Sequence, residues 1–62
     1  MFIVKDQNGL TLSGYDEDHQ ILVVTRVASL IKTFPTAEAA RTWAEQYVNA
    51  GYGLTSFKVE RI

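Results

Sequence analysis

A chain of 62 residues without cysteine excludes disulfides and thiolate metal sites, and its length predicts a single domain covering residues 1–62. Six basic and seven acidic residues give a net charge of −1, and the lack of a basic run argues against binding to duplex nucleic acid. Hydrophobic residues make up 47% of the sequence, which favours a folded core over disorder. No signal peptide opens the chain, and no apolar stretch reaches the ~18 residues of a membrane span. We therefore expect a complete small cytoplasmic protein that is not associated with a membrane.

The first strand is predicted at 2–5, a run of β-branched and aromatic residues. Asn8-Gly9 follows and predicts a type I′ hairpin turn, because both central residues of that turn need a positive φ. The second strand is predicted at 10–15, where apolar and polar residues alternate and Leu10 and Leu12 face inward.

The third strand is predicted at 21–24, where four consecutive apolar residues stand together. Such a run indicates either burial on both faces or one face that is kept for a partner. Residues 25–31 predict a short turn, although the strand could also continue through Val27. An extended segment, 31–34, then leads to the helix.

The stretch 34–51 predicts the main helix because both of its ends are marked. Thr36 follows a proline and provides a hydroxyl that can cap the first turn. Glu38 adds a negative charge where it complements the helix dipole. Gly51 is typical of the position just past a helix C-terminus.

One face of this helix is apolar, since its hydrophobic residues follow the spacing i, i+3, i+4, i+7 and i+8. They are Ala40, Trp43, Ala44, Tyr47 and Val48. The alanines would let the helix lie close to a sheet while the aromatic rings fill the remaining space. Trp43 could also bind a ligand, but its place in the middle of the stripe favours a role in the core.

The last strand is predicted at 56–62, where residues alternate so that Phe57 and Val59 face the helix. It is expected to lie beside the first strand, in a direction that the sequence leaves open. Together, these elements predict an α+β fold with the element order ββ(β)αβ. It has a mainly antiparallel sheet of three or four strands with one amphipathic helix on one face.

A sheet that is covered on one side leaves an apolar set on the other side. Ile3 and Ile62 would point away from the helix, together with either Leu22/Val24 or Ile21/Val23. Such a set is large for a small monomer, and it predicts a homodimer formed by this face or by the rim around Tyr15 and Tyr52. The alternative is that these are ordinary scattered surface residues. The predicted interaction surface comprises Ile3, Leu22, Val24, Tyr15, Tyr52 and Ile62.

Residues 16–19, Asp-Glu-Asp-His, are the only dense cluster of ionisable groups. Their oxygens and imidazole could bind a divalent cation, but the glycine and the glutamate of a calcium loop are missing. We interpret the cluster as a solvated loop. No serine lies in a nucleophile motif and no glycine-rich loop precedes a helix. The sequence thus predicts no catalytic, cofactor-binding or metal-binding residues and no enzyme.

Aromatic residues on a sheet could instead stack on single-stranded bases. The available rings are Phe2, Tyr15, Tyr52 and Phe57, and the cations near them in the strands are Lys5, Lys58 and Arg61. Nearby carboxylates would partly cancel these charges. A weak single-strand binder is therefore one alternative function, and a small metal-binding or ligand-binding regulator is another.

The layout resembles short uncharacterised proteins of bacteriophages and prophages. The resemblance is carried by Phe34, Thr36, Glu38 and Ala39 around the start of the helix, and by the closing run 57–62. It implies a phage or host setting in which small proteins act by binding other proteins. With the apolar set, it predicts a non-enzymatic, self-associating interaction module that forms a dimer or binds another host protein.

Overall fold

The β-branched and alternating runs form four strands of one antiparallel sheet, and a single α-helix packs against one face. A computed structural model describes residues 1–62 and confirms the predicted α+β fold. The elements are β1 (Phe2–Asp6), β2 (Thr11–Asp16), β3 (Ile21–Thr25), a 3₁₀ turn (Ala28–Leu30), α1 (Ala37–Glu45) and β4 (Phe57–Arg61). The strand order is β3-β2-β1-β4, so that β3 and β4 are the two edges. The last strand lies beside the first, and their pairing is antiparallel.

The hairpin between β1 and β2 forms where it was predicted, but the predicted turn type is wrong. Gly9 has a φ of 78°, whereas Asn8 does not have a positive φ. The amide of Gly9 donates to the Asp6 carbonyl, which gives a type I turn followed by a left-handed glycine. The Asp6 carboxylate accepts from the amides of Asn8 and Leu10, each at 2.9 Å. This side chain therefore stabilises a three-residue loop in place of the tighter type I′ turn.

A β-bulge in β2 changes which of its side chains reach the core. The β2–β3 register shifts between Leu12 and Gly14. In an unbroken strand, Leu12 and Tyr15 would point to opposite faces because they are three residues apart. The bulge adds one residue, and both side chains now contact the core on the helix side. Gly14 makes this possible with a φ of 152°, a conformation that side chains rarely adopt.

Segment 31–34 fills the gap where β1 and β2 diverge. The two strands pair directly only at Lys5 and Thr11. Further along, the amide of Lys32 donates to the Leu12 carbonyl of β2 at 3.2 Å. Phe34 exchanges two hydrogen bonds of 2.9 Å with Phe2 of β1. The chain therefore reaches the helix by running between the two central strands.

The α-helix begins as predicted and ends earlier than predicted. The hydroxyl of Thr36 accepts from the Ala39 amide at 3.1 Å and forms the N-cap. The helix ends at Glu45, although Gly51 was expected to mark the stop. Val48 forms an isolated bridge with Leu54, and Asn49 has a φ of 56°. Asparagine tolerates this left-handed conformation, and its backbone amide donates to the carbonyl of the buried Leu54 at 2.8 Å.

The core lies between the helix and the sheet. Its buried residues are Val4, Leu12, Leu22, Phe34, Ala40, Ala44 and Leu54. Ala40 and Ala44 are fully buried, which allows close approach of the helix to the sheet. Trp43 and Tyr47 are half-buried and pack against this core. The predicted apolar stripe is therefore confirmed within the helix for Ala40, Trp43 and Ala44, whereas Tyr47 and Val48 contact the core from beyond the end of the helix. Neither helical segment combines the length and the apolarity that crossing a bilayer requires.

Candidate interaction surface

The sheet face opposite the helix exposes fewer apolar side chains than the sequence predicted. Ile3 lies on this face but is only 5% exposed. Its cross-strand partner is Glu60, and Lys5 is the next residue of β1 on the same face. Lys5 Nζ lies 2.7 Å from Glu60 Oε2. Ile3 therefore cannot contribute to an interface, and a charged pair lies beside it.

The sequence left open which pair of third-strand residues faces away from the core. Leu22 is 8% exposed and belongs to the core, so its assignment to the interaction surface is wrong. Ile21 and Val23 therefore point to the opposite face. Val24 shares the core side with its partner Leu12 but is 40% exposed. It lies at the rim of the core and remains accessible.

Exposed apolar residues instead concentrate on the edge strand β3 and the segment that follows it. Five large side chains there have exposed fractions between 39% and 57%. We call this set the β3 patch, and it comprises Ile21, Val23, Val24, Val27 and Leu30. Of its members, Val24 was in the predicted surface, and Ile21 and Val23 were the alternative pair for the outward face. The signal lies in the apolar run of β3, which predicted a face kept for a partner as one of two alternatives, and its five uncharged residues leave the edge strand without electrostatic protection.

The outer backbone edge of β3 is only partly covered. The amide of Leu22 donates to the carbonyl of Tyr52 at 3.3 Å, so it points away from β2. Alternate residues of a strand direct their backbone groups to the same edge. The N–H and C=O groups of Val24 therefore point to this outer edge as well, where no further strand pairs. Pairing with an incoming strand is open from Val24 onwards.

Three tyrosines cluster beside the N-terminal half of β3. Tyr15 stacks on Tyr47 with ring centroids 5.2 Å apart, and Tyr52 contacts both rings edge-on. All three are half-buried. Desolvation by the surrounding rings, followed by the proximity of Tyr52, raises the pKa of Tyr15. The structure thus brings Tyr15 and Tyr52 of the predicted surface together, next to the β3 patch.

Ile62 lies at the other edge of the sheet and does not join this surface. Its amide donates to the Met1 carbonyl at 3.0 Å. Ile62 is 65% exposed and Met1 is 56% exposed. These two residues form a separate, smaller apolar site at the chain termini.

The acidic turn, residues 16–19, begins at the last residue of β2 and leads towards β3. Within it, Asp16 Oδ2 accepts from His19 Nδ1 at 2.8 Å, and its Oδ1 accepts from the amides of Asp18 and His19. The hydrogen bond from the His19 side chain is the main reason that the pKa of Asp16 is lowered. No three metal-binding side chains converge here or elsewhere in the chain. The geometry is that of a hydrogen-bonded turn.

The rings and cations of the alternative nucleic-acid surface lie largely on opposite faces. Phe2, Tyr15, Tyr52 and Phe57 pack against the core on the helix side. Lys5 and Lys58 face each other across β1 and β4 on the side away from the helix. The arrangement therefore does not unite stacking rings with these two cations in one groove.

A shallow depression runs along the exposed side of α1, beside the half-buried Trp43. Its lining residues are Thr36, Glu38, Ala39, Thr42, Trp43 and Gln46. Lys32 Nζ lies 5.7 Å from the Trp43 ring centroid and 5.3 Å from that of Phe34, distances typical of cation–π contacts. Trp43 is thus held by Lys32 on one side and by the core on the other.

Comparison with protein-family models, with curated proteins and with solved structures gave no match.

Proposed function

We propose that this protein is a non-enzymatic interaction module that associates with a second copy of itself through the β3 patch. The observation that carries the proposal is an edge strand without charge, whose exposed apolar residues continue into the following segment. The proposal includes a cytoplasmic, phage-derived setting. A host protein is the alternative partner of the same surface.

Edge strands of natural sheets usually avoid association by carrying charge, proline or a covering segment. The opposite edge follows this rule, because β4 contains Lys58, Glu60 and Arg61 among its five residues. β3 has no such side chain, and its cover reaches only as far as Leu22. Contiguous apolar residues of this kind mark interaction sites on small proteins.

The tyrosine cluster supports the same location. Tyrosine is enriched among the residues that dominate binding energy at interfaces, because it offers a large, rigid surface with a polar tip. Tyr15 lies opposite Leu22 in the β2–β3 ladder, and the Tyr52 carbonyl accepts from the Leu22 amide. The cluster therefore adjoins the N-terminal end of the β3 patch, where Tyr52 of the loop between α1 and β4 covers the edge.

The test is the molar mass of the full chain in sedimentation or light scattering as its concentration rises to the high micromolar range. We expect a reversible dimer that Val24→Lys converts to a monomer, because the lysine places a charge at the open edge. Val24 is already 40% exposed, so the variant should keep its fold by circular dichroism.

The matched control is Ile62→Lys, which adds the same charge at an exposed apolar position on the opposite edge. It should dimerise like the unmodified protein. A chain that stays monomeric at every concentration would refute the proposal, and equal effects of the two variants would remove the β3 patch as its location.

A further inference from the structure

We infer that a row of aromatic rings on the helix side of the sheet binds a proline-rich segment of another protein, with a basic residue next to the prolines. We call this set the aromatic row, and it comprises Phe34, Trp43, Tyr47, Tyr15 and Tyr52. All of its ring contacts lie within one chain, so this inference does not depend on self-association through the β3 patch.

The row forms because the helix covers only half of the sheet. α1 packs mainly over β1 and β4. On the helix side of β2, the ring of Tyr15 packs instead on Tyr47, which lies two residues past the end of α1. Tyr47 also contacts Trp43, with ring centroids 5.2 Å apart, and Trp43 contacts Phe34 at 5.4 Å. Tyr47 therefore links the tyrosine cluster to the helix and to segment 31–34.

Most of the row is accessible from solvent. Phe34 is buried, but the other four rings are half-buried. The single depression in the surface of the protein borders Trp43. At the other end, Tyr52 stands between Gly51 and Gly53, which have no side chains to cover its ring. A ligand can therefore reach the rings from the depression to the tyrosine cluster.

The angles between the rings favour proline over a flat ligand. Tyr15 and Tyr47 are stacked on each other at 25°, so those faces are not available to a base or a sugar. Trp43 and Tyr47 are inclined at 58°, and Tyr47 and Tyr52 at 78°. Inclined rings enclose wedge-shaped clefts, and aromatic-lined grooves of this kind receive polyproline II segments.

The spacing and the polar groups of the row suit the same ligand. Neighbouring rings are 5.2–5.5 Å apart, close to the ~6 Å that two residues of a polyproline II helix span. Such a helix has no internal hydrogen bonds, so its carbonyls need donors. The tyrosine hydroxyls supply donors at one end. Thr42 and Gln46, which are exposed and line the depression, supply them at the other.

The charges around the row argue for a basic residue in the ligand. Glu38 lines the depression, which no basic residue lines, and forms no ion pair within the chain. The acidic turn directly follows Tyr15 at the other end. Lys32 is the cation beside the rings, with its Nζ 5.7 Å from the Trp43 centroid. Carboxylates at both ends repel the phosphates of a nucleic acid and attract a basic residue that flanks the prolines.

The experiment uses the emission of Trp43, the only tryptophan of the chain. The full chain at low micromolar concentration is titrated with a peptide of about ten residues, mainly proline with two arginines at one end. We expect a saturable change in emission. A peptide with the same arginines but alanines in place of the prolines should bind about tenfold more weakly, because it lacks the preformed extended conformation.

Variants of the row locate the binding site. Tyr52→Ala removes one wall of a cleft and should weaken binding of the proline peptide about tenfold. Tyr52→Leu keeps the apolar bulk without a flat ring and should also weaken binding, which maintains the test if the alanine variant does not fold.

A matched pair of carboxylate variants tests the charge contact. Glu38→Gln should weaken binding of the arginine-containing peptide about threefold, as expected for an exposed ion pair, and should leave a peptide of prolines alone unaffected. Glu45→Gln is the control, because Glu45 is an exposed carboxylate of the same helix that does not line the depression. It should bind both peptides like the unmodified protein.

The remaining outcomes would overturn the inference or leave it standing apart from the proposed function. Equal binding of the proline and alanine peptides would reduce the contact to charge attraction and refute the site. A change in emission with a thymidine oligonucleotide at low salt, and none with the proline peptide, would refute it in favour of base stacking. A chain that binds the peptide but stays monomeric refutes self-association alone, and a dimer that does not bind the peptide refutes the aromatic row alone.

Discussion

The two edge strands of the sheet, β3 and β4, differ in how they are protected from association with other strands. β4 pairs with β1 over five consecutive residues without interruption, and three of its own five residues are charged. β3 pairs with β2 through a bulge, carries no charge, and is covered only at Leu22 by the carbonyl of Tyr52. An exposed edge is protected from association in the first case and open to it in the second.

The two edges also differ in the kind of contact that holds them in place. The position of β4 follows from its own ladder and from the ion pair of Lys5 with Glu60. The end of β3 instead depends on a loop that is distant in sequence and follows the helix, and the buried Leu54 holds this loop against the core. The comparison teaches that the protected edge is held by a continuous ladder and an ion pair, whereas one end of the open edge depends on the packing of a loop.

The largest expected effect comes from removing the residue that anchors this loop. Leu54 is 2% exposed, and Leu54→Ala should lower the free energy of unfolding by about 2–5 kcal/mol through lost burial and a residual cavity. Urea denaturation measures this loss. Amide exchange should also show faster exchange at Leu22, because its bond to Tyr52 depends on the loop.

Val59→Ala on β4 is the comparison variant, since Val59 is half-buried and lies in a continuous ladder. It should cost clearly less stability and leave the Leu22 amide protected. If Leu54→Ala is too unstable to study, Leu54→Val keeps the measurement accessible. Equal exchange at Leu22 in both variants would show that the two edges do not differ in their support.

A smaller effect is expected at the β-bulge of β2, the strand that pairs with β3. Gly14→Ala should destabilise the protein by about 1–3 kcal/mol, because alanine is strained at a positive φ. Gly14 has a φ of 152°, and no atom lies within 4 Å of an added Cβ, so the cost comes from the backbone alone. Ser13→Ala, one residue earlier, is the control. A Gly14→Ala loss no greater than that of Ser13→Ala would argue against the bulge.

The smallest effect concerns the pH response of the acidic turn that precedes β3. The hydrogen bond from His19 lowers the pKa of Asp16 below its ordinary 3.8. The contribution of Asp16 to stability is therefore complete above that value and is lost as the pH falls through the lower pKa of the folded state. An NMR titration of the Asp16 carboxyl carbon measures this pKa directly.

His19→Gln removes the imidazole and should bring the pKa of Asp16 closer to its ordinary value. Thr42→Gln, a substitution on the exposed side of α1, should leave the titration unchanged. If the titration is the same with and without His19, the hydrogen bond between the two side chains does not form in solution.

Several elements could be predicted because their signals are local. The threonine cap and the spacing of Ala40, Trp43 and Ala44 predict a helix with one buried face, and that helix forms. The alternating run that contains Phe57 and Val59 predicts a strand that packs on this face. Each signal depends on contacts between residues that are near in sequence, so its meaning does not depend on the rest of the chain.

The candidate surface was only partly predictable for the opposite reason. Ile3 and Leu22 were expected to be accessible and are buried, whereas Val24, Tyr15 and Tyr52 do lie near one another. Whether a strand residue points inward depends on the register and on bulges. A shift of one residue moves every side chain to the other face, and the only local sign of the bulge in β2 is Gly14 inside the strand.

The sequence by itself determined the fold class, the location of the strands and the start of the helix, because apolar periodicity and capping residues are read from neighbouring positions in the chain. Only the tertiary structure decided that segment 31–34 runs between β1 and β2, that the helix ends at Glu45, and that β3 is the open edge. These features arise from hydrogen bonds and buried contacts between distant residues. Which of these contacts form depends on which packing of the whole chain has the lowest free energy.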